Sequence, residues 1–125
     1  TKLLVIQDPR EIPPLEASLR EAFGSRAHVA GSQKGLLEVV PRGIHKGLAL
    51  LWLADALGIP RGQVLALGDG DNDAEMLASV PLGVAVPQGS LRARAGAAFT
   101  APEGEDPVVW AVRRFALEGR GFPSP

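Results

Sequence analysis

The sequence predicts an α/β protein in which helices cover a mostly parallel sheet and a smaller α+β piece comes first. Beyond Gly58, strand-type runs alternate with helix-type runs, and this alternation implies right-handed crossovers and parallel strands. Before Arg42, the order is instead strand, helix, strand, strand. The 125 residues, 46% of them hydrophobic, suffice for one compact domain or for pieces of two.

Residues 1–43 are the predicted α+β piece. Residues 2–6 form a short strand, and Pro13 suits the first turn of a helix that ends near Phe23. Two brief strands follow, RAHVAGS and GLLEVVP, and the intervening GSQKG predicts a hairpin that ends at Pro41. The next residues read as a linker, so a domain boundary is predicted there.

Residues 44–119 are the predicted parallel-sheet piece. Its first helix, at 45–57, has apolar residues at a helical period and ends at Gly58, which suits a left-handed cap. The elements that follow are a strand at 64–67, a helix at about 74–79, a strand at 83–86, a short helix near Leu91, a strand in AAFT and a helix at 107–117. Residues 120–125 are predicted to be a flexible tail.

Composition excludes several classes of protein. Thirteen basic and fourteen acidic residues leave a net charge of -1, which argues against a nucleic-acid partner. Cysteine is absent, so disulfides, thiolate metal sites and cysteine nucleophiles are excluded. No secretion signal or long apolar run indicates export or a membrane partner, and a cytoplasmic location is the default expectation.

The stretch LALGDGDNDAEML places Asp69, Asp71, Asn72 and Asp73 directly after a strand. Ligands of open α/β sheets bind beyond the carboxyl ends of the strands, so this loop lies where a functional site is expected. One interpretation is turn chemistry alone, in which Asn72 or Asp73 caps the following helix. Another is a magnesium site with Asp69 as the first ligand, because phosphate oxygens can complete the shell of that cation. Asp71 can point to solvent.

A calcium loop is the third interpretation of this stretch. Asp69, Asp71 and Asp73 match the first three ligand positions of an EF-hand. However, Ala74 stands where that loop requires glycine, and Val80 stands where it requires a bidentate glutamate. The sequence therefore favours magnesium or a plain turn over calcium.

Lys46 begins the helix that precedes the acidic strand end. The helix and strand form a unit that can return Lys46 to the same sheet edge as Asp69, where it could neutralise phosphate. An ordinary exposed lysine is equally compatible with this position. A positive charge at a helix N-terminus opposes the macrodipole, so a nearby carboxylate or anion should compensate. His28 and His45 are expected to be structural.

The ordered set GIHKGLAL, VLALGDGDNDAEML, LGVAVPQGS and AAFTAPEGEDPVVWAV resembles the C-terminal part of haloacid dehalogenase (HAD) superfamily hydrolases, specifically the Cof-like phosphatases with a large α/β (type IIB) cap. The resemblance covers nearly the whole chain. It implies a partial HAD-like, Rossmann-type core in 44–119 and the end of the cap in 1–43. Such enzymes hydrolyse phosphate monoesters with Mg²⁺ through an aspartyl-phosphate intermediate.

The resemblance also implies roles for matching residues. Lys46 would stabilise the carboxylate of the nucleophile and the transferring phosphoryl group, and Asp69 would hold Mg²⁺ directly. Asn72 would contact the substrate or its phosphate. Asp73 would support the metal or Lys46, with direct metal ligation as a second option, and Ser90 would be structural. The substrate would be a small phosphorylated metabolite.

The nucleophile motif of the family, Asp-x-Asp followed by Gly-Thr, is not convincingly present. Asp8 follows a strand as a nucleophile should, but Arg10 stands at the partner position and no Gly-Thr follows. We expect Asp8 to lie in a cap turn. Because Lys46 and Mg²⁺ assist a nucleophile but cannot replace it, the chain alone should turn over little or nothing.

A C-terminal fragment or natural truncation of a Mg²⁺-dependent phosphatase would explain this pattern. The alternative is a catalytically inactive HAD-derived module that acts in binding or structure through oligomerisation or a partner chain. Strands absent from the sheet would leave an open edge with apolar surface. The sequence therefore predicts a homodimer or association with an N-terminal half.

Overall fold

The computed structural model describes residues 2–119 and contains two three-stranded sheets. The first sheet consists of β1 (Leu3–Ile6), β2 (Ala27–Gln33) and β3 (Leu36–Pro41) in the antiparallel order β1-β3-β2. Helix α1 (Ile12–Phe23) packs on one face of this sheet, because alternate residues of the strands are apolar there. The buried residues of this core are Ile12, Val29, Leu37 and Val39.

The second sheet is parallel, as the alternation of strands and helices predicts. It consists of β4 (Leu65–Gly68), β5 (Leu82–Ala85) and β6 (Phe99–Thr100) in the order β4-β5-β6. The helices around it are α2 (Lys46–Ala56), α3 (Ala74–Ala78), α4 (Leu91–Gly96) and α5 (Pro107–Ala111). This α/β architecture confirms the predicted fold class.

Strand β5 lies at the centre of the second sheet, and all four of its residues are buried. Successive side chains of a strand point to opposite faces, so β5 contributes to a core on each face. One core contains Ala66, Leu77, Val80, Ala85 and Ala93, and the other contains Leu82, Val84, Ala101, Ala111 and Phe115. Both faces of the sheet are therefore covered.

Three local features differ from the sequence-based expectations. The predicted helix at 107–117 is α-helical only to Ala111 and continues as a π-helix over Val112–Leu117, where Glu118 N–H donates to the carbonyl five residues back. Strand β2 reaches Gln33 through a bulge, so the hairpin turn is shorter than GSQKG. A 3₁₀ turn over Asp71–Asp73 precedes α3.

The predicted flexible tail at 120–125 lies outside the described residues. Residues 42–45 connect β3 to α2, and the domain boundary there stays a prediction of the sequence. No helix within residues 2–119 is both long enough and apolar enough to cross a membrane.

Gly83 in the central strand β5 should tolerate no side chain. A Cβ atom at this position would lie 2.1 Å from the carbonyl oxygen of Leu77, which is backbone and cannot move aside cheaply. We expect Gly83→Ala to lower the free energy of unfolding by about 1–3 kcal/mol in urea denaturation.

Gly31 is the matched control, because its Cβ would meet open space and its φ is not positive. Gly31→Ala should change the free energy of unfolding by no more than about 0.5 kcal/mol. An equal decrease in the free energy of unfolding in the two variants would contradict the close packing of α3 on β5.

Candidate functional site

The turn that follows β4 is held by the carboxylate of Asp73. Its Oδ2 atom accepts hydrogen bonds from the backbone N–H groups of Asp69, at 3.1 Å, and Gly70, at 3.0 Å. The side chain thus closes the preceding turn. The suggestion that it caps the following helix is wrong, since Asp73 makes no side-chain cap bond to α3.

Lys46 completes the hydrogen bonding of this carboxylate. Its Nζ atom lies 2.5 Å from Oδ1 of Asp73, although the two residues are 27 positions apart in sequence. His45 caps α2 by accepting a backbone N–H of the first turn, which starts the helix at Lys46. Gly47 lets α2 approach α3 closely, because a Cβ there would lie 2.7 Å from the carbonyl oxygen of Glu75.

Asp73 is buried, and its charge state follows from two opposed effects. Burial by itself raises the pKa of the Asp73 carboxyl. The hydrogen bonds from Lys46 and from the backbone N–H groups of Gly70 and Asp69 outweigh burial, so the pKa of Asp73 lies below its ordinary value. Asp73 is therefore the carboxylate that compensates the positive charge at the N-terminus of α2.

The other polar residues of the turn are more accessible. Asp69 is exposed, and within residues 2–119 its carboxylate has no hydrogen bond or ion pair. Asn72 is half-buried, and its side chain makes no hydrogen bond in the part of the chain described. Asp69, Asn72, Asp73 and Lys46 line one cleft of about 340 Å³. The structure thus brings all four predicted site residues together.

Asp71 and Ser90 lie apart from Lys46. They line a neighbouring hollow with Gly31 and Gly70, and Ser32 and Asp69 line both this hollow and the cleft. The Ser90 hydroxyl accepts a hydrogen bond from the backbone N–H of Ala93 and so caps α4, which agrees with a structural role.

The opposite wall of the cleft comes from the first sheet, which sequence reasoning did not include in the site. Its contributors are Lys2, Leu4, Ser32, Leu36 and Glu38. An ion pair of 2.8 Å joins Lys2 Nζ to Glu38 Oε1 across the strands. The alternation along β3, with Leu37 and Val39 buried beneath α1, was the available signal, because it places Glu38 on the other face.

Asp8 lies away from this cleft, in the turn after β1. Strand β1 belongs to the antiparallel sheet, where it pairs with β3. Both carboxylate oxygens of Asp8 accept from the Arg10 guanidinium, at 3.1 and 2.9 Å, and these bonds lower the pKa of Asp8. The surroundings of Asp8 agree with a turn residue rather than a nucleophile.

A cation in this cleft would find one carboxylate, that of Asp69, without a hydrogen bond or ion pair among the described residues. Among residues 2–119, no three His, Asp or Glu side chains gather closely enough to hold a metal ion by themselves. Asp69 is nonetheless a hard oxygen donor with no partner in the part of the chain that is described, so it fits Mg²⁺ as a ligand. Both oxygens of Asp73 are already engaged, which favours its supporting role over direct ligation.

Together, the fold and the cleft define a class of protein: a parallel α/β sheet whose acidic strand-end turn faces a lysine suited to an anionic ligand. The family model for haloacid dehalogenase-like hydrolases matches residues 1–112. The chain belongs to this family.

Two individual relatives match two thirds or more of this chain. The HMP-PP phosphatase of Enterobacter sp. (strain 638) is 42% identical over 84 residues, which are 67% of this chain and 31% of that protein. The chloroplastic endoribonuclease YBEY of Arabidopsis thaliana is 39% identical over 98 residues, 78% of this chain but 17% of that protein. The chain thus spans about a third or less of the length of these two relatives.

A solved structure shows the same fold. The haloacid dehalogenase-like hydrolase of Bacteroides thetaiotaomicron superposes with a TM-score of 0.67 at 32% identity. The match covers 91% of this chain and 43% of that one. The chain therefore contains part of the HAD fold.

Asp73→Asn should destabilise the protein in a pH-dependent way. Because the folded-state pKa of Asp73 is lowered, its contribution is fully present above the unfolded pKa of about 3.9 and is lost as the pH falls through the folded value. At pH 7, we expect Asp73→Asn to lower the free energy of unfolding by about 1–3 kcal/mol.

Urea denaturation from pH 7 down to pH 3 would measure this effect. The gap between wild type and Asp73→Asn should narrow below about pH 4. Asp71→Asn is the control, because within the described residues the Asp71 carboxylate has no partner, and its effect should stay within about 0.5 kcal/mol. A constant gap across this pH range would contradict the assigned ion pair.

Proposed function

We propose that this chain supplies the lysine and metal-ligand half of a phosphate monoester hydrolase site. The observation that carries the proposal is the convergence of Lys46, Asp69, Asn72 and Asp73 on one cleft, with Lys46 held against Asp73. Membership of the HAD-like hydrolases and similarity to an HMP-PP phosphatase support a phosphorylated small metabolite as the substrate.

Lys46 and Asn72 would bind the phosphate. The Lys46 ammonium has three N–H donors, and Asp73 takes one of them, which leaves two for phosphate oxygens. Its side chain is 50% exposed, so an anion in the cleft can reach it. The Asn72 amide, without a partner among the described residues, would donate to the phosphate or to the ester oxygen.

Asp69 would hold Mg²⁺, and Asp73 would keep Lys46 and the turn in place. When bound, the cation would neutralise charge on the phosphate oxygens. Its remaining ligands would be phosphate, water or carboxylates from outside these residues, since Mg²⁺ prefers an octahedral oxygen shell.

The attacking aspartate would come from a segment outside these 125 residues. No Asp-x-Asp-Gly-Thr stands anywhere in the sequence, and the lysine and the cation assist a nucleophile without replacing it. We propose that this segment pairs with the open edge of β4, which has a partner strand on one side only within the described chain.

An exposed apolar face on α2 is the second feature that favours association. Leu48, Trp52, Leu53 and Leu57 are all exposed, and Trp52 is 70% exposed. The same face favours the alternative function, an inactive HAD-derived module that binds a copy of itself or a partner chain. Catalysis in the presence of the missing motif separates the two functions.

Hydrolysis of p-nitrophenyl phosphate with Mg²⁺ tests the proposed function. We expect no turnover by the chain alone, and turnover after addition of an N-terminal HAD segment that carries Asp-x-Asp-Gly-Thr. In the mixture, Asp69→Asn should reduce the rate by about 10²-fold or more, because it removes a charged ligand at the reacting phosphate. Asp71→Asn should leave the rate unchanged, since Asp71, unlike Asp69, does not line the cleft with Lys46.

Two results would contradict the proposal. Robust turnover by the chain alone that disappears in Asp8→Asn would identify Asp8 as the nucleophile. No turnover in the mixture, despite an association seen by size-exclusion chromatography, would favour the inactive module.

A further inference from the structure

A second compartment adjoins the phosphate cleft and shares one wall with it. This compartment has a volume of about 250 Å³. The residues common to both compartments are Lys2, Glu38, Lys46 and Asn72. A phosphate held by Lys46 and Asn72 would therefore lie at the entrance to this second space.

The second compartment contains both histidines of the chain. His28 comes from β2 and His45 from the N-cap of α2, and their ring centroids lie 6.1 Å apart with the planes tilted by 43°. The remaining contributors are apolar: Ala30, Val40, Ile44 and Ala49. We call this space the histidine chamber.

The two imidazoles form one wall of the chamber and leave no room for a ring between them. Aromatic rings in contact have centroids at least about 4.5 Å apart, so a ring sandwiched between two others needs about 9 Å. His28 and His45 are closer than that, at 6.1 Å. A planar ligand would therefore lie beside the two imidazoles and not between them.

Besides the groups near the phosphate, the hydrogen-bonding groups of the chamber are the nitrogens of its two imidazoles. The His28 ring makes no hydrogen bond within residues 2–119, so it offers one donor and one acceptor. His45 Nδ1 accepts a backbone N–H at the start of α2, so its neutral ring carries the proton on Nε2 and can donate one bond. Glu38 is already paired with Lys2. A sugar would bring several hydroxyls into this space, and each hydroxyl left without a partner costs about 1–3 kcal/mol.

We propose that the histidine chamber holds the leaving group of the substrate and selects a compact, planar or largely apolar alcohol over a polyhydroxylated sugar. The volume of the chamber, about 250 Å³, lies just below the range for small-molecule sites, about 300–1,000 Å³, which favours a leaving group of roughly one ring. His28 and His45 are then residues that determine specificity. This inference rests on the proposed function, because the phosphate site fixes where the leaving group begins.

The NMR signals of the two imidazoles test directly whether a leaving group occupies the chamber, because the chain has only two histidines and both line the chamber. The full chain with Mg²⁺ would be titrated with inorganic phosphate, benzyl phosphate and glucose 6-phosphate. We expect benzyl phosphate to shift both histidine signals and to bind at least about tenfold more tightly than inorganic phosphate, which corresponds to about 1.4 kcal/mol. Glucose 6-phosphate should bind no more tightly than inorganic phosphate.

The variant His28→Ala distinguishes binding in the chamber from binding in the phosphate cleft. This variant should lower the affinity for benzyl phosphate to that for inorganic phosphate. The affinity for inorganic phosphate should stay unchanged, since His28 does not line the phosphate cleft. Glu21→Ala, at an exposed position of α1, is the control and should change neither affinity.

Two results would contradict the proposed role of the chamber. One is that benzyl phosphate leaves both histidine signals unshifted, and the other is that glucose 6-phosphate binds as tightly as benzyl phosphate. Backbone amide signals of the turn at 69–73 report phosphate binding separately. If inorganic phosphate shifts these amide signals but benzyl phosphate does not shift the histidine signals, the proposed role of the chamber is contradicted and the proposed function stands. If neither set responds to any of the three probes, both proposals fail.

Discussion

The buried carboxylate of Asp73 is the interaction on which the rest of the site depends. It accepts two backbone N–H groups of its own turn and the ammonium of Lys46. The first two bonds fix the path of the chain beyond β4, and the third ties that path to the start of α2. Loss of this carboxylate would release the metal-ligand turn and the lysine together.

Close packing around Asp73 explains the glycines of GDGDND. A Cβ at Gly68 would lie 2.5 Å from Cβ of Asp73, and a Cβ at Gly70 would lie 2.6 Å from Oδ1 of Asn72. The turn therefore has room for these side chains only because both positions lack a side chain. The crowded negative charge is separated in space: Asp73 is buried and neutralised, while Asp69 is exposed toward the cleft.

Local signals in the sequence were enough to predict much of the fold. The alternation of strand and helix patterns gave the parallel sheet, and the position of Lys46 at a helix start and of Asp69 at a strand end placed both at one edge. The need for a carboxylate near Lys46 followed from the helix macrodipole, and Asp73 meets that need.

The opposite wall of the cleft could not be predicted in the same way. His28 and Glu38 reach the site only because β3 lies between β1 and β2 and because the first sheet faces the start of α2. Both conditions depend on contacts between residues far apart in sequence. The π-helical turn at the end of α5 was missed for a related reason, since its apolar pattern is compatible with either helix type.

A double-mutant cycle between Lys46 and Asp73 tests the central claim most directly. The free energies of unfolding would be measured at pH 7 for wild type, Lys46→Met, Asp73→Asn and the double variant. The two substitutions should couple by at least about 0.5 kcal/mol, a modest value because the Lys46 side chain is 50% exposed. Effects that add within about 0.3 kcal/mol would contradict the account, because Lys46 would then be held without Asp73.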